Sequence, residues 1–288
     1  MEADSKPAEG QAATTPAATA PVVAPSQPPP ERLVKVEFSD YIGILTMDYD
    51  RRRNCLSERM VNQMIEAIEG FQRLEARCVI IRNNPDAKVF SAGHDISELP
   101  IGSDPLHYSD PLERILLTIK YCKCPVIAMV HGSVWGGATD MVLSCDMIIG
   151  DDTSSFAITS ANIGLAYNTS GLLQFMRRLP LNLVKEMFFT AAPFPAQKAL
   201  SCGILNHLRP ADQLEEYTMS LARLIVSKAP MAIAAIKEQL RILTRAHPLS
   251  PEAFERITDL RQKVHDSHDY REGITAFLEK RKPVFTGE

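Results

Sequence analysis

No uninterrupted apolar run in the 288 residues is long enough to cross a bilayer, which takes about 20 residues, so no membrane span is expected. Neither sign of charge dominates. With 31 Lys and Arg against 35 Asp and Glu, a formal charge of −4 and a pI near 6.0, there is no whole-chain electrostatic case for nucleic acid. The six cysteines (Cys55, Cys78, Cys122, Cys124, Cys145 and Cys202) lack paired metal-ligand spacing. Their one close pair, Cys122-Lys123-Cys124, has no second Cys or His cluster at finger distance, so no metal is expected. Scattered thiols inside apolar segments fit free cysteines and a reducing, cytoplasmic compartment. The first 30 residues have almost no large apolar side chain and cannot offset the entropy of ordering. A disordered tail is therefore expected at 1–30. It opens Met1-Glu2-Ala3-Asp4 and holds no Arg before Arg32, which argues against both a secretory signal and a transit peptide.

A composition of 45% hydrophobic and 23% charged residues suffices for a full core in one large domain or two smaller ones. Leu33 to Phe38 alternates, Tyr41 to Met47 follows, and Ser39-Asp40 between them predicts a hairpin turn. Asp50 to Asn54 is a polar loop whose three arginines, Arg51, Arg52 and Arg53, are either simply solvated or placed to meet phosphates. Ser57 can cap a helix with Met60, Met64, Ile65, Ile68 and Phe71 on one face. Beyond it, strands at 78–81, 126–130 and 147–149 alternate with helices at 112–121 and 139–144, a repeating strand and helix pattern. From Leu172 the chain reads as mainly helical, with segments at 172–179, 184–190, 196–202, 214–228, 231–245, 251–265 and 270–280. Those after Pro230 form a candidate oligomerisation module, so the expected divisions are 1–30, 31–229 and 230–288.

Chemistry is placed first at Val89 to Leu99. An apolar strand precedes Ser91-Ala92-Gly93-His94-Asp95, and an acidic helix start follows. Small side chains let a ligand approach the main chain, and the N–H groups of His94 and Asp95 can receive an anion or a developing oxyanion. A second turn of the same kind, Gly132-Ser133-Val134-Trp135-Gly136-Gly137-Ala138, follows the strand at 126–130. If the two turns face each other, two N–H donors converge on one oxygen. The loop Thr159 to Gly171, with Tyr167, is a natural pocket wall.

Phe90-Ser91-Ala92-Gly93-His94-Asp95, His131-Gly132-Ser133-Val134-Trp135-Gly136-Gly137-Ala138 and the terminal Phe277-Leu278-Glu279-Lys280-Arg281-Lys282 together resemble the enoyl-CoA hydratase/isomerase, or crotonase, family over residues 31–288. The resemblance implies an α/β fold, a spiral of ββα units with a C-terminal helical trimerisation region, and a homotrimer or dimer of trimers. It implies a CoA thioester as substrate, no further cofactor, and a carbonyl oxygen held between the amides of His94 and Gly137. It further implies that Ala92, Gly93, His94, Asp95 and Ile96 lie along the CoA and that Lys280 approaches its phosphates, either within its own subunit or across a subunit boundary.

At the positions of the glutamate pair that handles water and proton in the family's hydratases, this chain has Asp140 and Ser160. One carboxylate is shortened and one is missing, a poor equipment for hydration. Loss of CO2 from a methylmalonyl- or malonyl-type thioester needs less, because the departing group itself leaves the carbanion behind. The expected site is therefore an oxyanion hole with Thr159 and Tyr167 as polar orienting groups, Asn168 nearby, Val134 and Trp135 as apolar wall, and Asp140 as a hydrogen-bond acceptor. Hydration or isomerisation with Asp140 as acid/base, and a non-catalytic CoA-binding protein, are the alternatives.

Overall fold

The computed structural model describes Met1 and residues 31–100, 110–244 and 251–286; the tail expected at 1–30 lies, Met1 aside, outside the described residues. Arg32–Glu288 forms one unit, to which everything below refers. β1 (Val34–Ser39) and β2 (Ile42–Met47) pair antiparallel, with Ser39 opposite Ile42. The turn is thus Asp40-Tyr41, one residue later than the expected Ser39-Asp40. A two-residue hairpin needs left-handed backbone at both central positions, and Asp40 (φ 49°) and Tyr41 (φ 60°) adopt it. Asp tolerates that region, whereas Tyr41 is held in it by tertiary contacts. Arg77 stacks 4.4 Å over its ring, and the Arg77 N–H donates to its carbonyl at 2.8 Å.

α1 (Glu58–Arg73) is capped by Ser57 and buries the expected face. After it the chain runs through three strand-strand-helix turns. The first is β3 (Cys78–Asn83), β4 (Val89–Ser91) and α2 (Pro111–Tyr121). The second is β5 (Val126–Val130), β6 (Ser133–Trp135) and α3 (Gly137–Ser144), and the third is β7 (Met147–Asp151), β8 (Ser155–Ala157) and α4 (Thr169–Arg178). The first strand of each turn enters a six-stranded sheet, whose last strand is β10 (His207–Arg209), in the order β1-β2-β3-β5-β7-β10. The second enters a four-stranded sheet, closed by β9 (Phe194–Pro195), in the order β4-β6-β8-β9. This is the expected ββα spiral. Within it β3, β5 and β7 run parallel and are almost wholly buried, as an interior parallel sheet requires.

The remaining helices are α5 (Leu181–Thr190), α6 (Ala196–Ser201), α7 (Ala211–Val226), α8 (Pro230–Leu243), α9 (Pro251–His265) and α10 (His268–Leu278). β9 and β10 fall in the stretch expected to be mainly helical. Two or three residues are too few to show an alternation, and both strands exist only as additions to sheet edges. α4 begins at Thr169, three residues before the expected Leu172, because Asn168 caps it by accepting the Gly171 N–H at 2.8 Å. α5 begins at Leu181, before the expected Val184, on a half-exposed leucine that the apolar spacing does not mark. Among the described residues no single helix is long and apolar enough to cross a membrane.

α10 lies backbone against backbone on the 3-10 turn Ser160–Ile163. A Cβ at Gly273 would stand 2.2 Å from the Ile163 carbonyl oxygen, and one at Gly164 2.7 Å from that of Asp269. Ala is favoured over Gly in a helix interior by about 1 kcal/mol, but here the obstacle is main chain that cannot swing aside. Gly273→Ala is therefore expected to destabilise the fold by about 1–3 kcal/mol, read as a lowered midpoint in urea unfolding; a midpoint at or above wild type would refute this packing account.

Candidate active site

β4 and β6 are parallel neighbours, so the turns leaving them emerge side by side. Gly93, with φ of 83°, packs its backbone on the second turn: a Cβ there would lie 2.4 Å from the Trp135 carbonyl oxygen and 3.1 Å from the Gly137 nitrogen. Only glycine fits. Gly136 (φ 53°) then turns the chain into α3, making Gly137 its first residue, whose N–H has no preceding turn to bond to. On the facing turn, Leu56 and His94 form a parallel bridge in which the Leu56 N–H donates to the Gly93 carbonyl at 2.8 Å. In a parallel bridge of that register the main-chain groups of His94 turn away from Leu56. The two turns left separate by the sequence are thus in contact, with the amides of His94 and Gly137 on their rims.

These rims border a small inner chamber of about 50 Å³, lined by His94, Gly136, Gly137, Thr159, Ser160 and Tyr167 and by the apolar side chains of Ile96, Leu99, Leu112, Ile163 and Leu165, with Ala92. Ala92, Ile96, Thr159 and Ile163 also line an outer cleft of about 460 Å³, whose further walls include Arg53, Ser133, Trp135, Phe277 and Arg281. Chamber and cleft therefore adjoin, a narrow head and a long stem.

The His94 ring is nearly buried, with Nδ1 3.1 Å from the Asp95 carbonyl and Nε2 3.2 Å from Asp110 Oδ2. Burial opposes the imidazolium, but the hydrogen bond and charge of Asp110 with the Asp95 carbonyl outweigh it, and the pKa is raised. Asp110 Oδ1 caps α2 by accepting the Leu112 N–H at 2.7 Å. Asp95 caps the 3-10 turn Ile96–Glu98 and binds Arg52 at 2.7 Å and Ser97. Burial raises its pKa, and these partners more than reverse the effect.

Asp140 is fully buried on α3 and does not line the chamber; Tyr167 stands in front of it and donates its hydroxyl to Asp140 Oδ2 at 3.1 Å. Among the described residues Asp140 Oδ1 has no hydrogen-bond partner. Burial pushes its pKa up to about 6, Glu113 adding to the shift and Lys120 and the Tyr167 hydroxyl opposing it. The Tyr167 phenol is itself pushed well up by burial and by Asp140. Its ring packs edge-on against Phe188, centroids 5.0 Å apart. Thr159 begins the 3-10 turn without capping it, and its Oγ1 lies 3.5 Å from where a Cβ of Gly136 would be.

Of the expected CoA contacts, Ala92 and Ile96 line both spaces and His94 the chamber, whereas Gly93 and Asp95 face the neighbouring protein and Lys280 lies outside both. The cations on the cleft wall are Arg53, one of the three loop arginines, and Arg281, which Glu272 and Glu279 hold. Asp110, Leu112 and Glu113 were not singled out by the sequence. The sequence pattern marks α2 at 112–121 without a cap; Asp110 and Pro111 open it, and the reach of Asp110 to His94 spans 16 residues and is a tertiary fact.

The family model for enoyl-CoA hydratase/isomerase matches residues 37–288. The chain belongs to the enoyl-CoA hydratase/isomerase family. It is 47% identical over 255 residues to the methylmalonyl-CoA decarboxylase of Escherichia coli K12, covering 88% of this chain and 98% of that protein. It is also 33% identical to the human mitochondrial enoyl-CoA hydratase domain-containing protein 3, covering 86% and 82%. A solved methylmalonyl-CoA decarboxylase in complex with 2-nitronate-propionyl-CoA superposes with a TM-score of 0.88 at 46% identity, over 89% of this chain and 99% of that one. The crotonase fold is therefore shared, in agreement with the ββα spiral and the paired glycine turns.

Because folding raises the His94 pKa, the His94–Asp110 pair stabilises the fold in full below the ordinary histidine value of about 6.5 and loses this effect as pH rises through the raised value. Asp110→Asn keeps an oxygen for the α2 cap and removes the charge. The His94 ring resonance, followed by NMR, is expected to titrate at lower pH in this variant, and urea stability to fall less steeply above about pH 6.5. An unmoved His94 titration would remove Asp110 as its cause.

Proposed function

We propose that the chain is a carboxy-lyase converting methylmalonyl-CoA to propionyl-CoA and CO2, with malonyl-CoA as a smaller alternative substrate and no cofactor beyond the CoA that the substrate carries. The likeness to methylmalonyl-CoA decarboxylases supports this reading. The observation that carries it is chemical: among the described residues, no carboxylate side chain lines the inner chamber. Hydration needs a positioned base for water. Ser160 stands where one would be, and Asp140 sits behind Tyr167.

In this reading the CoA stem occupies the outer cleft, and the thioester oxygen sits between the His94 and Gly137 amides. Cleavage of the C–C bond sends its electron pair into the thioester, CO2 departs, and the negative charge collects on the oxygen that the two amides face; each such donor is typically worth about 3–4 kcal/mol. The apolar chamber favours a step that turns an anionic carboxylate into neutral CO2. Thr159 and Tyr167 orient the carboxylate, and a proton then adds to the α-carbon. While Asp140 is ionised the phenol proton points at it. Once Asp140 is protonated it can donate to the phenol oxygen, freeing the Tyr167 O–H for the chamber. Asp140 is thus the acceptor that sets the direction of that hydrogen bond.

The assembly is proposed to be a homotrimer or dimer of trimers formed through residues 230–288. Met231, Ile236, Leu240 and Leu243 of α8, each more than half exposed in the single chain, support this. Sedimentation is expected to give a multiple of three 31.9 kDa chains, and Leu240→Lys to lower it; a monomer would remove the proposal. The free cysteines support a cytoplasmic location.

Purified protein incubated with methylmalonyl-CoA is expected to release CO2 and propionyl-CoA, identified by mass, and to leave crotonyl-CoA unhydrated. Tyr167→Phe should lose about one to two decades of rate, the worth of a hydrogen bond to a charged group. Asp140→Asn, whose Nδ2 can donate to the phenol oxygen and leave the Tyr167 O–H for the chamber, should lose less. Hydration without CO2 release, or abolished release in well-folded Asp140→Asn beside wild-type rate in Tyr167→Phe, would reject the decarboxylase mechanism. Tight product binding without turnover of any acyl-CoA would favour a binding protein.

A further inference from the structure

Glu113 is a carboxylate buried to 7% exposure on α2, and no step above uses it. A buried charge is costly unless it is well hydrogen-bonded, so its partners indicate what it holds. They are Asn168, whose Nδ2 donates to Glu113 Oε1, and Ser170, whose hydroxyl donates to the same oxygen at 3.0 Å. Asn168 immediately follows Tyr167, and its other amide atom, Oδ1, accepts the Gly171 N–H. The first turn of α4 so fixed is the surface on which the Tyr167 ring rests: a Cβ at Gly171 would lie 2.3 Å from Tyr167 Cε1.

We propose that Glu113 is a positioning residue for Tyr167, and that the first turn of α2 sets the two sides of the chamber against each other. Three neighbouring residues of that turn do so. Asp110 holds the His94 ring. Leu112 lines the chamber and lies 2.6 Å from where a Cβ of Gly137 would be. Glu113 ties down the loop that carries Tyr167. One short rigid segment thereby registers the two amide turns on one wall and the phenol on the other, and rigid support of this kind is what catalytic geometry requires. Glu113 touches no part of the chamber itself.

This inference rests on the decarboxylase reading for its kinetic arm and is independent of it in its spectroscopic arm. Glu113→Gln keeps an acceptor oxygen for Asn168 and Ser170, whereas Glu113→Met keeps the volume and removes it. In full-length protein labelled with 3-fluorotyrosine, the Tyr167 signal is identified by its loss in Tyr167→Phe. That signal is expected to move or broaden in Glu113→Met and to stay near the wild-type position in Glu113→Gln. With methylmalonyl-CoA, Glu113→Met is expected to lose about ten-fold or more in kcat with KM changed less than about two-fold, and Glu113→Gln to recover most of it. In a Tyr167→Phe background the Glu113→Met loss should shrink to less than about two-fold, since a residue acting only through Tyr167 has nothing left to position. Additive losses in that cycle, or an unmoved fluorine signal in folded Glu113→Met, would overturn the proposal. Should Glu113→Met not fold, Ser170→Ala deletes one donor, and a fluorine signal it leaves unmoved overturns the proposal equally. If wild type turns over no malonyl-type thioester, the functional reading fails while the fluorine experiment still decides the role of Glu113.

Discussion

The site depends on a contact between main chains. Gly93 lies against the Trp135 carbonyl and the Gly137 nitrogen so closely that any Cβ would separate the turns. Topology makes the meeting unavoidable. Consecutive turns of the spiral place β4 and β6 side by side and parallel, so their loops leave the small sheet at the same edge. Conformation then allows the approach, because positive φ at Gly93 and Gly136 brings the two main chains together and starts α3 at Gly137, whose N–H has no partner in a preceding turn. Backbone donors held by a sheet need no reorganisation when negative charge develops beside them, and preorganised donors are the usual source of the largest catalytic term.

The parts of this site that the sequence shows are those encoded locally. Small residues between a strand and a helix, twice over, mark the turns. Asp140 and Ser160 mark the departure from a hydratase, because a missing carboxylate is visible as a residue type. What the sequence does not show is pairing across the fold. Asp110, Leu112 and Glu113 read as an ordinary helix start, and their separate assignments to His94, Gly137 and the Tyr167 loop exist only once α2 is docked. The Tyr41 turn and the strands β9 and β10 were illegible for the same reason: each is imposed by a neighbour rather than by its own propensity. Within the single chain Arg281 lines the cleft, and the spacing of a motif does not resolve which of two adjacent side chains beyond a helix end turns toward its own subunit.

Asp140 illustrates how this scaffold changes its chemistry without changing its frame. A carboxylate one methylene shorter than glutamate remains on α3, but Tyr167 now stands between it and the chamber, so its charge acts through a hydroxyl. With one oxygen bonded and the other, among the described residues, without a partner, its ionised form is poorly solvated, and the pKa rises to about 6. Near neutrality a modest local change can therefore alter its proton occupancy, and with it the direction of the phenol hydrogen bond. Had Asp140 lined the chamber, the same perturbed pKa would have marked a general base. Placed behind a tyrosine, it fits the proposed role of setting donor direction.

The chamber and the reaction then constrain each other. An enolate needs its oxygen held and its carbon left alone, and the proposed pair of amides beside a mainly apolar wall, with no carboxylate among the described residues that line it, provides that asymmetry. A base next to the α-carbon would carry negative charge beside the substrate carboxylate and beside the carbanion that replaces it. Removing the base from the wall is therefore more than a lost hydratase function, because it removes a like charge from the region where the reaction generates one.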